Sequence, residues 1–207
     1  MKILSHRGYW KTQDEKNKIV AFRRSFELGF GTETDIRDIG GTLVISHDPP
    51  TGSEVTIDEF LKIYKEYADV PLALNIKADG LQHMLKKKLY DYNVTNYFVF
   101  DMSVPDALIY IKEGLNAFTR QSEWEKEPSF YNESQGVWID CFFDNWVTED
   151  DLVNHTKMGK KICLVSPDLH KRDYLDFWKY LKQTSIINSE NLILCTDYPE
   201  EAKKYFN

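Results

Sequence analysis

The sequence predicts a small, compact (β/α)8 barrel formed by a single domain over residues 1–207. Short apolar runs rich in β-branched and aromatic residues alternate with segments whose apolar residues recur every three or four positions, the pattern of strands and amphipathic helices. There are close to eight such pairs, and strands separated by helices pair in parallel through right-handed crossovers. A doubly wound open sheet is the alternative, although the chain has no Gly-x-Gly-x-x-Gly or phosphate-loop motif to favour it.

Each predicted element has a local signal. The pair Gly40-Gly41 indicates a hairpin turn between two strands. Thr56 and Glu59 have the spacing of a capping box, and Pro105 lies where the first turn of a helix is expected. The strands are predicted at 2–5, 32–37, 42–46, 72–76, 97–100, 116–119, 137–142, 161–165 and 192–195, and helices begin near 19, 56, 80, 103, 148, 174 and 199. Residues 123–135 are predicted to form a long loop.

The composition is that of an ordinary globular protein, with 42% apolar and 29% charged residues. The net charge of −7 argues against nonspecific binding to nucleic acid or to an anionic membrane, both of which need a cationic face. No apolar run is long enough for a membrane span, and His6 follows Met1 too closely for a signal peptide. Cys141, Cys163 and Cys195 lie in apolar runs and are predicted to be core thiols. A cytoplasmic protein without membrane insertion is therefore expected.

Polar side chains follow almost every predicted strand. In a barrel the carboxyl ends of the strands form the face that holds the active site, so their recurrence at this place predicts an enzyme. These residues are His6, Arg7, Glu33, Asp35, Lys77, Asp101, Arg120, Asp140, Ser166 and Asp197.

Glu33 and Asp35 are two residues apart in a strand, so their side chains point to the same side. Two neighbouring carboxylates resist ionisation unless a cation lies between them, and Mg²⁺ and Ca²⁺ prefer carboxylate oxygens. The pattern predicts a divalent metal site. The alternative is a structural ion pair with Arg7, Arg37 or Lys77.

His6 and His47 each end a strand-like run, and histidine can donate or accept a proton near neutral pH. Arg7 and Lys77 supply positive charge suited to a phosphate group. Together with the carboxylates, these groups are what metal-assisted cleavage of a phosphodiester requires.

The other polar candidates are less specific. Arg120 is predicted to contact the substrate, and His170 is predicted either to do so or to stabilise its loop. His83 and His155 fall in predicted helices and are expected on the surface. The loop 123–135 is predicted either to form a wall of the pocket or to be an ordinary loop carrying aromatic residues. The sequence gives no indication of the oligomeric state.

Taken in order, these motifs resemble the glycerophosphodiester phosphodiesterase family, part of the phosphatidylinositol-phospholipase-C-like phosphodiesterase barrels. The resemblance spans nearly the whole chain, although each motif alone is weak. The motifs are His6-Arg7-Gly8, Glu33-Thr34-Asp35, His47-Asp48 and the closing Thr196-Asp197-Tyr198-Pro199.

The resemblance implies a metal-dependent hydrolase that acts on a small glycerophosphodiester in lipid metabolism and yields an alcohol and a phosphomonoester. His6 and His47 would be the general acid/base pair, Glu33 and Asp35 the metal ligands, and Arg7 with Lys77 the phosphate contacts. The nucleophile would be water or a neighbouring substrate hydroxyl, the latter giving a cyclic phosphate first.

Two features depart from the family pattern. The family usually has a glutamate as third metal ligand where this chain has Asn75, which can coordinate only through a neutral carbonyl oxygen. Only residues 48–56 separate His47 from the next helix, so no inserted subdomain is expected. Asn75 also keeps open an alternative, a catalytically weakened barrel that binds a phosphorylated metabolite or partner. A barrel enzyme acting on a phosphorylated sugar is a more remote possibility.

Overall fold

The computed structural model describes residues 1–67 and 70–207. These residues form nine strands and seven α-helices, alternating along most of the chain. The strands are β1 (Lys2–His6), β2 (Gly31–Ile39), β3 (Thr42–Ile45), β4 (Leu72–Ile76), β5 (Tyr97–Phe100), β6 (Phe118–Gln121), β7 (Gly136–Ile139), β8 (Lys161–Val165) and β9 (Leu192–Thr196). The helices are α1 (Ile19–Glu27), α2 (Ile57–Tyr64), α3 (Gln82–Asp91), α4 (Val104–Lys112), α5 (Glu149–Lys157), α6 (Leu175–Gln183) and α7 (Pro199–Phe206).

Eight of the described strands are parallel and form a nearly closed barrel in the order β5-β4-β2-β1-β9-β8-β7-β6. The gap between β5 and β6 is spanned by one parallel bridge, between Val99 and Ala117. The predicted (β/α)8 barrel is thus confirmed, and the open-sheet alternative is wrong. Among the described residues, none of the helices combines the length and apolar content needed to cross a membrane.

The remaining strand, β3, forms an antiparallel hairpin with the far end of β2. Gly40 and Gly41 make the two-residue turn, and both have positive φ, which is why the hairpin requires glycine there. The hairpin returns the chain to the carboxyl end of the barrel, where the Ser46 N–H donates to the Asp35 carbonyl at 3.0 Å. His47 is thereby held beside the metal-site candidates of β2.

Apolar side chains fill both sides of the strands. One cluster packs α1 to α4 against the strands up to β5, and a second packs α5 to α7 against β7 to β9. The interior of the barrel is filled by a third cluster, in which Phe98 stacks on Phe118 and Phe100 stacks on Trp138, each pair with ring centroids 3.8 Å apart. The three cysteines are buried free thiols, as predicted.

The fifth unit of the barrel, formed by β6 and the segment after it, differs from the other units. β6 begins two residues later than predicted and β7 ends at Ile139 rather than at 142. Residues 122–135 connect them without an α-helix, in agreement with the predicted loop. The buried Lys160 anchors this loop, because its ammonium group donates to the carbonyls of Asn132 and Ser134.

His83 is exposed on α3, as expected, but the expected surface position of His155 is wrong. The Tyr131 hydroxyl lies 2.8 Å from His155 Nδ1, and Nε2 lies 2.9 Å from Gln121 Oε1. A neutral imidazole protonated on Nε2 satisfies both partners. His155 is buried because the loop 122–135 covers this side of α5. The apolar pattern of the helix does not indicate where that loop lies.

The burial of His155 predicts a specific dependence of stability on pH. Burial, assisted by Lys160 and opposed by Asp151, lowers the pKa of His155 below its ordinary value. The unfolded chain therefore binds this proton more readily, and the free energy of unfolding should fall as the pH drops below about 6.5. Denaturant unfolding at about pH 7.5 and about pH 5.5 would measure the effect. In His155→Gln the free energy of unfolding should fall less between the two pH values than in the wild type. An equal fall would contradict the proposed contribution of His155. His83→Gln, at an exposed histidine, is the matched control.

Candidate active site

Seven of the nine predicted site residues line one cavity of about 280 Å³ at the carboxyl end of the barrel; Asp35 and Arg120 do not. Parallel pairing explains this convergence, since the residues that follow neighbouring strands lie side by side. His6 is in register with Glu33, and Asp35 with Asn75. The cavity is lined by His6, Arg7, Glu33, His47, Asn75, Lys77, Phe100, Asp101, Trp138, Asp140, Phe142, Val165, Leu169 and His170.

The turn after β1 shows why the sequence His6-Arg7-Gly8 is needed. Arg7 and Gly8 both have positive φ, which reverses the chain at the cavity edge. A Cβ atom on Gly8 would lie 2.7 Å from the Ala21 Cβ, so only glycine allows this approach to α1. The turn directs the Arg7 N–H toward Glu33, whose carbonyl accepts it at 2.9 Å.

His6 is oriented by a carboxylate from the opposite end of the chain. Its Nδ1 lies 2.7 Å from Asp197 Oδ1, so Nδ1–H donates to Asp197 and Nε2 is left toward the cavity, 4.0 Å from Glu33 Oε2. Asp197 is itself held by Asp168, which accepts the Asp197 N–H at 2.7 Å and the Thr196 hydroxyl at 3.0 Å. A carboxylate on Nδ1 fixes the imidazole and stabilises its protonated form.

Glu33 and Asp35 are both buried; Glu33 lines the cavity, whereas Asp35 is absent from its lining. Burial and the nearby Asp35 charge raise the pKa of Glu33 well above its ordinary value, only partly offset by the neighbouring cations. Asp35 Oδ2 accepts from Asn17 Nδ2 at 2.9 Å and lies 3.0 Å from Arg7 Nε. The alternative interpretation from the sequence, an ion pair of one of these carboxylates with Arg7, therefore applies to Asp35.

The residues at this position fit a divalent cation. Asp35 Oδ1 and Asn75 Oδ1 are buried oxygens without a hydrogen-bond donor, and they come from paired residues on adjacent strands. Buried acceptors of this kind are rare unless something occupies the space between them. Among the described residues no three His, Cys, Asp or Glu side chains group as a metal site, so Asn75 would have to complete the set of Glu33 and Asp35.

Lys77 lies between two carboxylates, with Nζ 3.6 Å from Asp35 Oδ1 and 3.6 Å from Asp101 Oδ2. Arg120, predicted to contact the substrate, pairs instead with Asp101 at 2.7 Å and with Glu125. Arg120 lines a separate small cavity beneath the loop 122–135 and is absent from the lining of the main cavity. Its visible function is to join that loop to Asp101.

His47 reaches the cavity from the loop after β3 and is more exposed than His6. Its side chain is 46% exposed, and Nδ1 lies 2.9 Å from Asp48 Oδ1. Arg37 Nε donates to the His47 carbonyl at 3.0 Å and holds the backbone of this loop. His6 and His47 thus approach the cavity from different elements, His6 with 13% of its side chain exposed and His47 more open to solvent.

His170 forms a second histidine–aspartate pair on the far side of the cavity. Its Nε2 lies 2.6 Å from Asp140 Oδ1, and its ring centroid is 4.9 Å from that of Phe142. Of the two alternatives for His170, its position favours contact with substrate, because both members of the pair line the cavity.

Sequence reasoning did not identify two residues that organise the site. Asn17, in the turn before α1, donates to Asp35 and accepts from Thr34 at 2.9 Å. Asp168 positions Asp197 and through it His6. Neither residue directly follows a strand, so the search for polar residues at strand ends could not find them. The segment Ser166-Pro167-Asp168 after β8 was a weak indication of Asp168 only.

Comparison with solved structures places this barrel among known phosphodiesterase folds. A glycerophosphodiester phosphodiesterase from Parabacteroides distasonis superposes with a TM-score of 0.73 at 17% identity, over 99% of this chain and 96% of that one. This chain has the fold of that enzyme. The enzyme of the same name from Agrobacterium tumefaciens also gives 0.73, at 14% identity over 99% and 98% of the two chains.

A Ca²⁺-dependent phosphatidylinositol-specific phospholipase C from Streptomyces antibioticus gives a TM-score of 0.63 at 9% identity, over 100% of this chain and 96% of that one. No family model and no curated protein sequence matches the chain. The resemblance drawn from the sequence motifs is therefore confirmed at the level of the fold.

Proposed function

We propose that the protein is a metal-dependent phosphoric diester hydrolase that cleaves a glycerophosphodiester or a related small phosphodiester to an alcohol and a phosphomonoester. The observation that carries the proposal is the convergence of His6, His47, Glu33, Arg7 and Lys77 on one cavity, with Oδ2 of the buried Asp35 3.0 Å from Arg7 Nε. Support also comes from the barrel's likeness to two glycerophosphodiester phosphodiesterases. Such an enzyme would act in the cytoplasm on a small molecule.

Mg²⁺ or Ca²⁺ would be held by Glu33, Asp35 and Asn75. The support is that two buried oxygens, Asp35 Oδ1 and Asn75 Oδ1, accept no hydrogen bond and that the Glu33 carboxylate is buried as well. When bound, the cation would neutralise charge on the phosphoryl group and activate a nucleophile. The phospholipase C of similar fold is a Ca²⁺-dependent enzyme.

His6 would move a proton at Nε2, since Nδ1 is engaged by Asp197. The Asp197 carboxylate would stabilise the imidazolium that forms when Nε2 accepts a proton. His47 would perform the complementary transfer at the second oxygen of the diester, and its exposed position suits an exchange with solvent.

Arg7 and Lys77 would contact the phosphate. Both cations lie near Asp35: Arg7 Nε is 3.0 Å from Oδ2 and Lys77 Nζ is 3.6 Å from Oδ1. A divalent cation on Asp35 would compete for this carboxylate, which would leave the two side chains available to phosphate oxygens. Arg120 is not part of this proposal, because it lines a separate cavity and is absent from the lining of the main one.

A second candidate function is binding of a phosphorylated metabolite or partner without turnover. The neutral Asn75 and the pairing of Asp35 with Arg7 and Lys77 favour it, because both reduce the charge available to a metal. The preserved His6–Asp197 pair argues against it, since binding alone does not need an oriented imidazole.

Product release from a panel of glycerophosphodiesters tests the proposal. The assay would be run with a chelator, with Mg²⁺ or Ca²⁺ restored, and with His6→Ala in parallel. Turnover that the cation restores and His6→Ala abolishes is the expected result. Cation binding without turnover of any member would contradict the proposed substrate class, and absence of both would favour the binding function.

A further inference from the structure

Lys77 lies between the candidate metal site and a further carboxylate. Its ammonium group is 3.6 Å from Asp35 Oδ1 and also 3.6 Å from Asp101 Oδ2. Arg7 is close to the other oxygen of Asp35, Oδ2, so Lys77 is the cation nearest to Oδ1. Asp35 Oδ1 is one of the two buried oxygens that accept no hydrogen bond. Because like charges repel, Lys77 and a divalent cation would compete for this oxygen.

Asp101 is placed to be the second partner of Lys77. It follows β5, whose pairing with β4 brings Phe100 opposite Asn75, and it lines the same cavity as Lys77. Its φ of 69° lies in the left-handed region, which residues other than glycine seldom adopt. Such a conformation persists only where surrounding contacts maintain it, and it is concentrated at functional sites. The turn after β5 thus sets the Asp101 carboxylate beside Lys77.

Arg120 fixes the orientation of the Asp101 carboxylate. Its Nη1 donates to Asp101 Oδ1 at 2.7 Å, and its Nε donates to Glu125 in the loop 122–135. Oδ1 of Asp101 is thereby engaged, and Oδ2 is left to Lys77. The two oxygens of Asp101 therefore serve two different cations, and Arg120 supports the main cavity although it does not line it.

We propose that Asp101 is a positioning residue that draws Lys77 away from Asp35, so that a divalent cation gains Asp35 Oδ1. The inference rests on the proposed function, in particular on the cation site of Glu33, Asp35 and Asn75. Asp101 would offset the neutral side chain of Asn75, because it adds a negative charge at the end of the neighbouring strand. Lys77 would remain in the cavity as a phosphate contact, held there by Asp101.

A double-mutant cycle on cation binding tests the inference. The affinities for Mg²⁺ and Ca²⁺ would be measured by calorimetry, without substrate, in the wild type, Asp101→Asn, Lys77→Met and the double variant. Asparagine has nearly the shape of aspartate and tolerates positive φ, so Asp101→Asn removes the charge and keeps the turn.

The two single variants should have opposite effects, because they change the competition for Asp35 Oδ1 in opposite directions. Asp101→Asn should weaken cation binding about fivefold or more, and Lys77→Met should tighten it. Once Lys77 is absent, Asp101 has no competitor to remove. In the Lys77→Met background, Asp101→Asn should therefore change the affinity less than about twofold.

Asp176→Asn is the control, because Asp176 is exposed on α6 and lies outside the cavity lining. It should leave the cation affinity unchanged. Wild-type affinity in Asp101→Asn would overturn the inference. Equal weakening by Asp101→Asn in both backgrounds would also overturn it, since the effect would then be one of charge alone and would not act through Lys77.

Failure of the proposed function gives different results. A wild type that binds neither cation would overturn the metal site, and this inference with it. Cation binding that depends on Asp101 through Lys77, without turnover of any diester, would contradict the hydrolase and would support the inference.

Discussion

His6→Ala is expected to reduce the turnover of a phosphodiester substrate by about a hundredfold or more, the lower end of the contribution of general acid–base catalysis. His6 is the cavity imidazole with a buried orienting network, in which Asp197 holds Nδ1 and Asp168 holds Asp197. Alanine removes the proton carrier and leaves Asp197 without its partner. The measurement is the initial rate at saturating substrate and saturating cation.

Two further variants make the result specific. His83→Ala removes an exposed histidine on α3 and should leave turnover unchanged. Asp197→Asn keeps the imidazole but removes the carboxylate that orients Nδ1, so turnover should fall although His6 is still present. Turnover of His6→Ala close to that of the wild type would exclude His6 as acid or base.

His47 is expected to be as important as His6 if the two histidines serve the two oxygens of the diester. The structure makes this comparison informative, because His47 is half-exposed and pairs with its own neighbour Asp48. A loss in His47→Ala about equal to that in His6→Ala would support paired roles. A loss below about tenfold would leave His6 as the principal proton carrier.

The sequence predicted most of the fold and most of the cavity for one physical reason. Parallel strands end at the same face, so residues that follow them meet without any knowledge of tertiary contacts. Glu33 and Lys77 were found in this way, whereas Asn75 was recognised only as a departure from the family pattern; the register of β2 with β4 brings them together. The hairpin turn at Gly40-Gly41 was readable because two residues of positive φ require glycine.

The features that could not be predicted from the sequence depend on contacts between residues that are far apart in the chain. Arg120 ends its strand like the other candidates, yet Glu125, in a loop without a regular pattern, turns it away from the cavity. The same loop covers His155, which an isolated helix would expose. The partner of His6 lies 191 residues away, and nothing in either local segment identifies it.

Glu33→Gln is expected to raise the cation concentration needed for half-maximal activity about tenfold or more, because ligand charge sets the affinity of oxygen sites for Mg²⁺ and Ca²⁺. Glutamine keeps the size of Glu33 and an acceptor for the Arg7 N–H, so the loss should be one of charge rather than of structure. Cation titrations of activity, and calorimetric titrations without substrate, would both report the shift.

Asn75→Asp makes the opposite change at the third proposed metal ligand, a gain of negative charge. Asparagine and aspartate have nearly the same shape, and Asn75 Oδ1 has no hydrogen-bond donor, so the substitution adds charge where a ligand is needed. It should lower the cation requirement, whereas Glu27→Gln, an exposed carboxylate on α1, should not alter it. Opposite shifts in Glu33→Gln and Asn75→Asp would place both residues around one cation. Unchanged requirements in both would show that Asp35, Arg7 and Lys77 form a structural ion-pair cluster, and that the phosphate is held without a metal.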